Sequence, residues 1–321
     1  MSTSAPTPAS AASATTLGAI PLAPIFSERV WGVHDLGPWF PAATGPAIGE
    51  AWLTATDCAV EGGALQGSNF GDLVAAHPTE LACGSMGEFP LLIKVLFPKE
   101  KLSVQVHPDD ARAQQLGMPN GKTECWYILS AEPGATVAVG LTHPMSNDEI
   151  RAAIENGTLE DFVDHIPVKA GDMVFVDAGT VHAIMPGVIV LETQQYSDTT
   201  YRLFDYGRPR ELHIEEGLLA TKQKTRAGLV TPQPMEGFTR LIGEQYFFVD
   251  RFDLAASSSA SLDSVTGLQI LVALGNGVTL KGAGGGEIAL HPGHAIVLPV
   301  GTSGWAVAAS EAAQVIRIGR P

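Results

Sequence analysis

Positive charge is scarce in this sequence: 19 Lys and Arg stand against 34 Asp and Glu, for a formal net charge of −15. No basic stripe offsets that balance, which argues against nucleic acid as a partner, because binding a phosphate backbone depends on clustered Lys and Arg. A small anionic substrate stays open, since it responds to local charge. Cysteine is scarcer still. Cys58, Cys83 and Cys125 are odd in number and lack Cys-x-x-Cys spacing, so a disulfide framework is not expected and buried free thiols in a reducing cytoplasm are. No apolar run approaches the roughly 18 residues of a membrane span. Positions 1–20 contain no basic residue and are nearly all Ser, Thr, Ala and Pro, which reads as a disordered tail rather than a signal peptide.

What is abundant points to a β protein. The 35 Gly and 22 Pro supply many turns, hence many short strands, and a 45% hydrophobic, 17% charged composition describes a globular chain. A length of 321 residues allows two domains, or one large β domain with additions. The stretch Leu102-Ser103-Val104-Gln105-Val106-His107 alternates apolar and polar residues before a Pro-Asp break, the pattern of a half-buried strand entering a turn. A period of two puts Ser103, Gln105 and His107 on one face and Leu102, Val104 and Val106 on the other. A second strand, Lys122 to Leu129, carries Lys122 and Glu124 on a common face, and a third, from Gly171, ends in a turn at His182. These segments are expected to meet around one metal ion.

Around them, Gly49–Thr54 and Phe89–Phe97 read as strands, the latter almost continuously apolar except for Lys94. A helix is expected over Asn69–Leu81, and another opening at the capping-box signature of Ser146 and Glu149, with a further helical turn over Leu159–Ile166. Residues 212–222 read as a helix, Pro232-Gln233-Pro234 as a linker and 238–319 as short strands. The stretches Gly171–His182 and Gly293–Gly304 repeat one pattern, with Gly304 where His182 stands in the first copy. The fold expected is therefore mostly β, with two related modules and a few inserted helices.

The glycine-turn-histidine pattern, preceded by a His strand and a Glu strand, resembles the jelly-roll β-sandwich of cupins. His107, Glu124 and His182 would supply two imidazoles and a carboxylate, suited to zinc and also to Fe(II), Mn or Co, with Gln105 adding a neutral oxygen. The likeness narrows further in Phe89-Pro-Leu-Leu-Ile-Lys94, Leu102-Ser-Val-Gln105-Val-His107-Pro-Asp-Asp110, Lys122-Thr-Glu124-Cys-Trp-Tyr, Gly179-Thr-Val-His182 and the run from Leu191 through Asp198 and Arg202 to Arg208. These motifs resemble the type I phosphomannose isomerases in their short bacterial form, with convincing similarity from about Pro21 to Leu219. One departure is Asp177, where the family usually carries Pro.

The resemblance implies a catalytic cupin domain over 21–232 with helical insertions, and a cupin-like domain without a metal site over 233–321. It implies one zinc per chain on Gln105, His107, Glu124 and His182, other divalent metals being possible, and a catalytic Arg202. It also implies an enzyme that interconverts mannose 6-phosphate and fructose 6-phosphate through a cis-enediol, and the cysteine usage places it in the cytoplasm. Lys122 shares the face of Glu124 and is a candidate proton carrier. Asp198, four residues before Arg202, has two open roles, as base or as a partner holding Arg202. Ser103 and Lys94 are candidates for the substrate phosphate. An Fe(II) dioxygenase and a non-catalytic sugar-binding cupin are the alternatives. Oligomeric state is not legible.

Overall fold

Alternation along the chain becomes layering in space. The computed structural model describes residues 17–41 and 45–321. Its strands form four antiparallel sheets stacked face to face, with two helices on one outer face.

The first seven-stranded sheet runs in the order Gly228–Val230, Met173–Val176, Glu124–Ala131, Val188–Gln195, Leu91–Leu96, Ile48–Trp52 and Ile25–Val33. Facing it is a five-stranded sheet of Tyr201–Phe204, Val104–Val106, His182–Ile184, Thr136–Leu141 and Val163–Pro167. Between them lies a core that includes Leu96, Trp126, Ile128, Val176 and Val190 from one side and Val137, Val139 and Ile184 from the other. The opposite face of the seven-stranded sheet, with Ile93, Val95, Cys125, Tyr127 and Leu191, packs on a second seven-stranded sheet through Ile270, Val272, Val297 and Ile316. Each such fully buried aliphatic side chain contributes about 1.5–3 kcal/mol. That second sheet, built largely from strands after residue 232, in turn packs on a four-stranded one through Leu271, Ile296, Leu280 and Val307.

The helices complete the stack. Val104, Val106, Ala183 and Leu203 face outward from the five-stranded sheet and are covered by Ile150, Ala153 and Ile154 of helix Asn147–Glu155 and Leu218 of helix Ile214–Ala220. Helix Asn147–Glu155 begins where the sequence signals it, with the Ser146 hydroxyl and the Glu149 carboxylate capping each other's backbone N–H.

Several expectations are corrected. Residues 1–16 of the expected tail lie outside the described residues, but Leu17 is buried and Ile20–Leu22 is a strand paired with Ala295–Leu298. The early chain is thus tied into the late sheet. The helix over Asn69–Leu81 spans only Phe70–Ala76, ending before Pro78, whose ring disfavours helical backbone ahead of it. Residues after Leu159 form a single 3-10 turn, Leu159–Phe162, and then the edge strand Val163–Pro167. The supposed linker at 232–234 holds the strand Gln233–Met235, at the edge of its sheet where Pro234 leaves no ladder bond unmade. Leu102 precedes its strand and packs inward, off the face that Val104 and Val106 share.

Candidate metal centre and substrate cavity

The period of two that separates Val104 and Val106 from Gln105 aims the glutamine between the two facing sheets. Gln105 is the cross-strand partner of His182 on one side and of Arg202 on the other. His107 follows the same strand, and Glu124 opens the strand of the opposite sheet. Among the described residues, His107, Glu124 and His182 form a buried cluster whose donor atoms all lie within 4.8 Å of one another. The His107 Nε2 is 3.5 Å from Glu124 Oε2, and His182 Nε2 is 3.6 Å from Glu124 Oε1.

Both imidazoles are held in the tautomer that a metal ligand requires. His107 Nδ1 donates to the Thr199 carbonyl and His182 Nδ1 to the Thr180 carbonyl, each at 2.9 Å, so each Nε2 presents its lone pair to Glu124. Burial pushes the pKa of His107 well below its ordinary value, helped by Lys122 and His182. Burial also brings His182 down to about 4. Two neutral imidazoles and a carboxylate aimed at one point are a donor set that fits a divalent cation. The Lys122 ammonium reaches into that point: it bonds Glu124 and lies 3.1 Å from His107 Nε2. The site therefore already attracts positive charge. Trp126 Nε1 donates to Glu124 Oε1 at 3.0 Å and fixes the carboxylate from behind.

The turn that delivers His182 closes with Asp177 where the resemblance leads to an expected proline. The Asp177 carbonyl accepts from Thr180 N at 3.0 Å and from Thr180 Oγ1 at 2.6 Å. Gly179 sits in the left-handed region at φ 94, and a Cβ there would meet Lys222 Cγ at 2.6 Å.

Beside the cluster opens a cavity of about 240 Å³ lined by Ser103, Gln105, Lys122, Asp198 and Arg202, among others. Its floor is a row of charges along the inner face of the seven-stranded sheet, in which Glu50 and Glu192 join Lys94. Glu50 accepts from Arg29 through both oxygens, at 3.0 and 3.1 Å, and from Trp52 Nε1 at 2.6 Å. Lys94 lies 3.7 Å from Glu50, 3.0 Å from Asp198 and 4.3 Å from the centre of the Trp52 ring. Glu192 is the cross-strand partner of Lys94, and its Oε1 is 4.0 Å from Lys122 Nζ. Burial raises the Glu192 carboxyl to about 7, with Glu124 adding to the rise and Lys122 and Lys94 opposing it. Burial alone would lower the Lys94 pKa, but Glu50, Glu192 and Asp198 outweigh it and hold that pKa above its usual value. The signal for Glu50 and Glu192 was an acid at an inward position of an apolar strand, since an unpaired charge cannot stay buried.

Asp198 and Arg202 are not brought together. Asp198 pairs with Lys94, while Arg202 Nη1 donates to the Glu211 carbonyl at 2.7 Å. Arg202 Nε is buried and has no hydrogen-bond partner among the described residues. Burial and the neighbouring Arg210 lower the Arg202 pKa, yet a guanidinium so far above neutrality stays charged. Ser103 donates to Gln105 Oε1 at 3.2 Å, so its hydroxyl orients that amide.

Stacked β modules with a buried His–Glu–His cluster between two sheets define a cupin with a site that can hold a metal ion. Known proteins narrow the class. The catalytic domain of type I phosphomannose isomerase matches residues 22–143. The chain is 34% identical over 295 residues to the mannose-6-phosphate isomerase of Streptococcus mutans, covering 87% of this chain and 91% of that protein. It is 35% identical over 252 residues to mannose-6-phosphate isomerase ManA of Bacillus subtilis, covering 74% and 79%. The crystal structure of the mannose 6-phosphate isomerase from Bacillus subtilis superposes with a TM-score of 0.84 at 30% identity, over 94% of this chain and 99% of that one. The chain belongs to the type I phosphomannose isomerase family.

Proposed function

We infer that this chain is an aldose–ketose isomerase that interconverts mannose 6-phosphate and fructose 6-phosphate, with residues 21–232 as the catalytic module and 233–321 as its support. The observation that carries the reading is the buried His107–Glu124–His182 cluster beside a charged cavity that Gln105 and Lys122 line, in a chain of this family. Zinc is the ion we assign to these three residues, one per chain, with Gln105 as the weakest ligand. Bound there, it supplies positive charge that stabilises the negative charge developing on a substrate oxygen. Three unpaired cysteines suit a reducing compartment, and no helix among the described residues is long and apolar enough to cross a membrane. We place the enzyme in the cytoplasm.

The reaction moves a proton between C1 and C2 through a cis-enediol, so the protein must take a proton from carbon and return it to the neighbouring carbon on the same face. Lys122, held between Glu124 and Glu192 within the cavity wall, takes that proton at Nζ as a free amine and returns it to the neighbouring carbon. Glu192, its carboxyl raised to about 7 and its Oε1 4.0 Å from Nζ, is the group that holds the proton Lys122 sheds to become that amine. Arg202 presents its unpartnered Nε–H as a fixed donor to the charge of the enediolate. Ser103 and Lys94 take the phosphate end. Asp198, the more exposed partner of Lys94, is the one an incoming phosphate displaces. A coupled assay for release of fructose 6-phosphate from mannose 6-phosphate tests the reading: turnover by the purified chain is expected, and none from a folded, metal-loaded chain overturns it.

A further inference from the structure

The late part of the chain reaches the reacting groups through one phenol. Tyr246 lies in the loop between strands Phe238–Gly243 and Phe248–Leu254, and its hydroxyl donates to Asp110 Oδ2 at 2.7 Å. Asp110 is the first residue of the short helix Asp110–Gln115, three positions after His107. Its other oxygen, Oδ1, accepts from Gly121 N and from Gln195 Nε2, both at 2.8 Å. Gln195 in turn accepts from Thr123 N at 2.9 Å and donates its own backbone N–H to the Thr123 carbonyl at 3.1 Å. Lys122 N closes the set on the Pro108 carbonyl at 2.9 Å.

These bonds clamp the backbone of Gly121 to Glu124 against the turn that follows His107. The approach is so close that a Cβ at Gly121 would meet the Asp109 carbonyl carbon at 2.5 Å. Lys122 and Glu124 project from the clamped segment, while Tyr246, Asp110 and Thr123 stay outside the cavity lining. Asp110 thus has both oxygens committed, one to the catalytic segment and one to the late sheet. Removing the phenol's hydroxyl leaves Oδ2 unpaired and lets the carboxylate turn away from Gly121 and Gln195.

We propose that Tyr246 is a positioning residue for the isomerisation: through Asp110 and Gln195 it fixes the backbone that sets Lys122 and Glu124 against His107. The late sheet then does more than cover the first one; it holds the register of the reacting groups. This rests on the isomerase reading of the site.

The test compares zinc-loaded wild type with Tyr246→Phe and with Glu61→Ala. The latter cuts a different link between early and late chain, the 2.9 Å contact of Glu61 with His294, neither of which lines the cavity. Loss of one networked hydrogen bond should lower kcat about 5-fold in Tyr246→Phe, with KM nearly unchanged. Zinc affinity, read by chelator competition, should fall by a similar factor, about 5-fold. Glu61→Ala should leave both at wild-type values. In an Asp110→Ala background, where no polar group is left for the phenol to meet, the Tyr246→Phe change should cost nothing further, as expected for two partners in one network. Wild-type kcat and zinc affinity in Tyr246→Phe overturn the proposal, and so does an equal loss in Glu61→Ala, which would make the effect one of general docking. A wild-type chain without isomerase activity overturns the functional reading instead. The zinc affinities then still decide for or against Tyr246.

Discussion

Gln105 and His182 face each other across neighbouring antiparallel strands, with Gln105 Nε2 3.3 Å from His182 Nε2. The amide nitrogen is the end turned toward the imidazole, and the Ser103 hydroxyl donates to the amide oxygen. Half a turn of the amide exchanges the two ends and offers oxygen to a cation at the cluster. Gln105 is therefore the adjustable member of the donor set, whereas His107 and His182 are locked by their carbonyl partners.

Metal affinity should follow that distinction. Gln105→Ala should weaken zinc binding about 10-fold, on the scale of losing a supporting group. His182→Ala should abolish stoichiometric binding. Equal losses in the two variants, measured by chelator competition, would place Gln105 on a level with the imidazoles.

Arg202 separates catalysis from binding. A donor that acts only on charge present in the enediolate should, when lost in Arg202→Ala, lower kcat by ~10²–10³, about 3–4 kcal/mol, and move KM little. Metal content should stay at the wild-type level, because Arg202 contacts none of the cluster's three residues. A strong rise in KM with kcat spared would assign the guanidinium to the phosphate instead. Lys94→Ala, measured beside it, should show that second pattern.

Glu50 offers a pH test away from the metal donors. Burial alone would raise its pKa, but Lys94, Arg29 and the Trp52 hydrogen bond bring it below its ordinary 4.5. The stabilisation it provides is therefore complete above about pH 4.5 and disappears as pH falls through the lower folded value. Glu50→Gln should cost about 1–3 kcal/mol at pH 7, and the gap in thermal stability between variant and wild type should shrink toward acid. A gap that stays constant from neutral to acid pH would contradict the ion-pair account of this hub.

How much of this was legible follows from the range over which each feature is determined. The facing of Gln105 and the phase of Glu124 are local consequences of a two-residue period, so the sequence carries them directly. The capping box at Ser146 and Glu149 is likewise complete within four residues. The pairing of Ile20–Leu22 with Ala295–Leu298 depends on chain ends brought together by the stack, and nothing local encodes it. Glu50 and Glu192 were hidden for a related reason: each is a lone acid in an apolar strand, and only the sheet's register reveals its partner. The pairing of Asp198 with Lys94 rather than Arg202 shows the limit of spacing. A separation of four residues implies neighbours on a helix, and Arg202 lies on a strand.

The most direct test of the whole account is to strip the purified protein of metal and restore zinc in measured steps while following mannose 6-phosphate isomerase activity. The account predicts an inactive metal-free chain whose activity returns linearly and saturates at about one zinc per chain, with His107→Ala failing to recover. Full activity in protein shown by elemental analysis to be metal-free would contradict it.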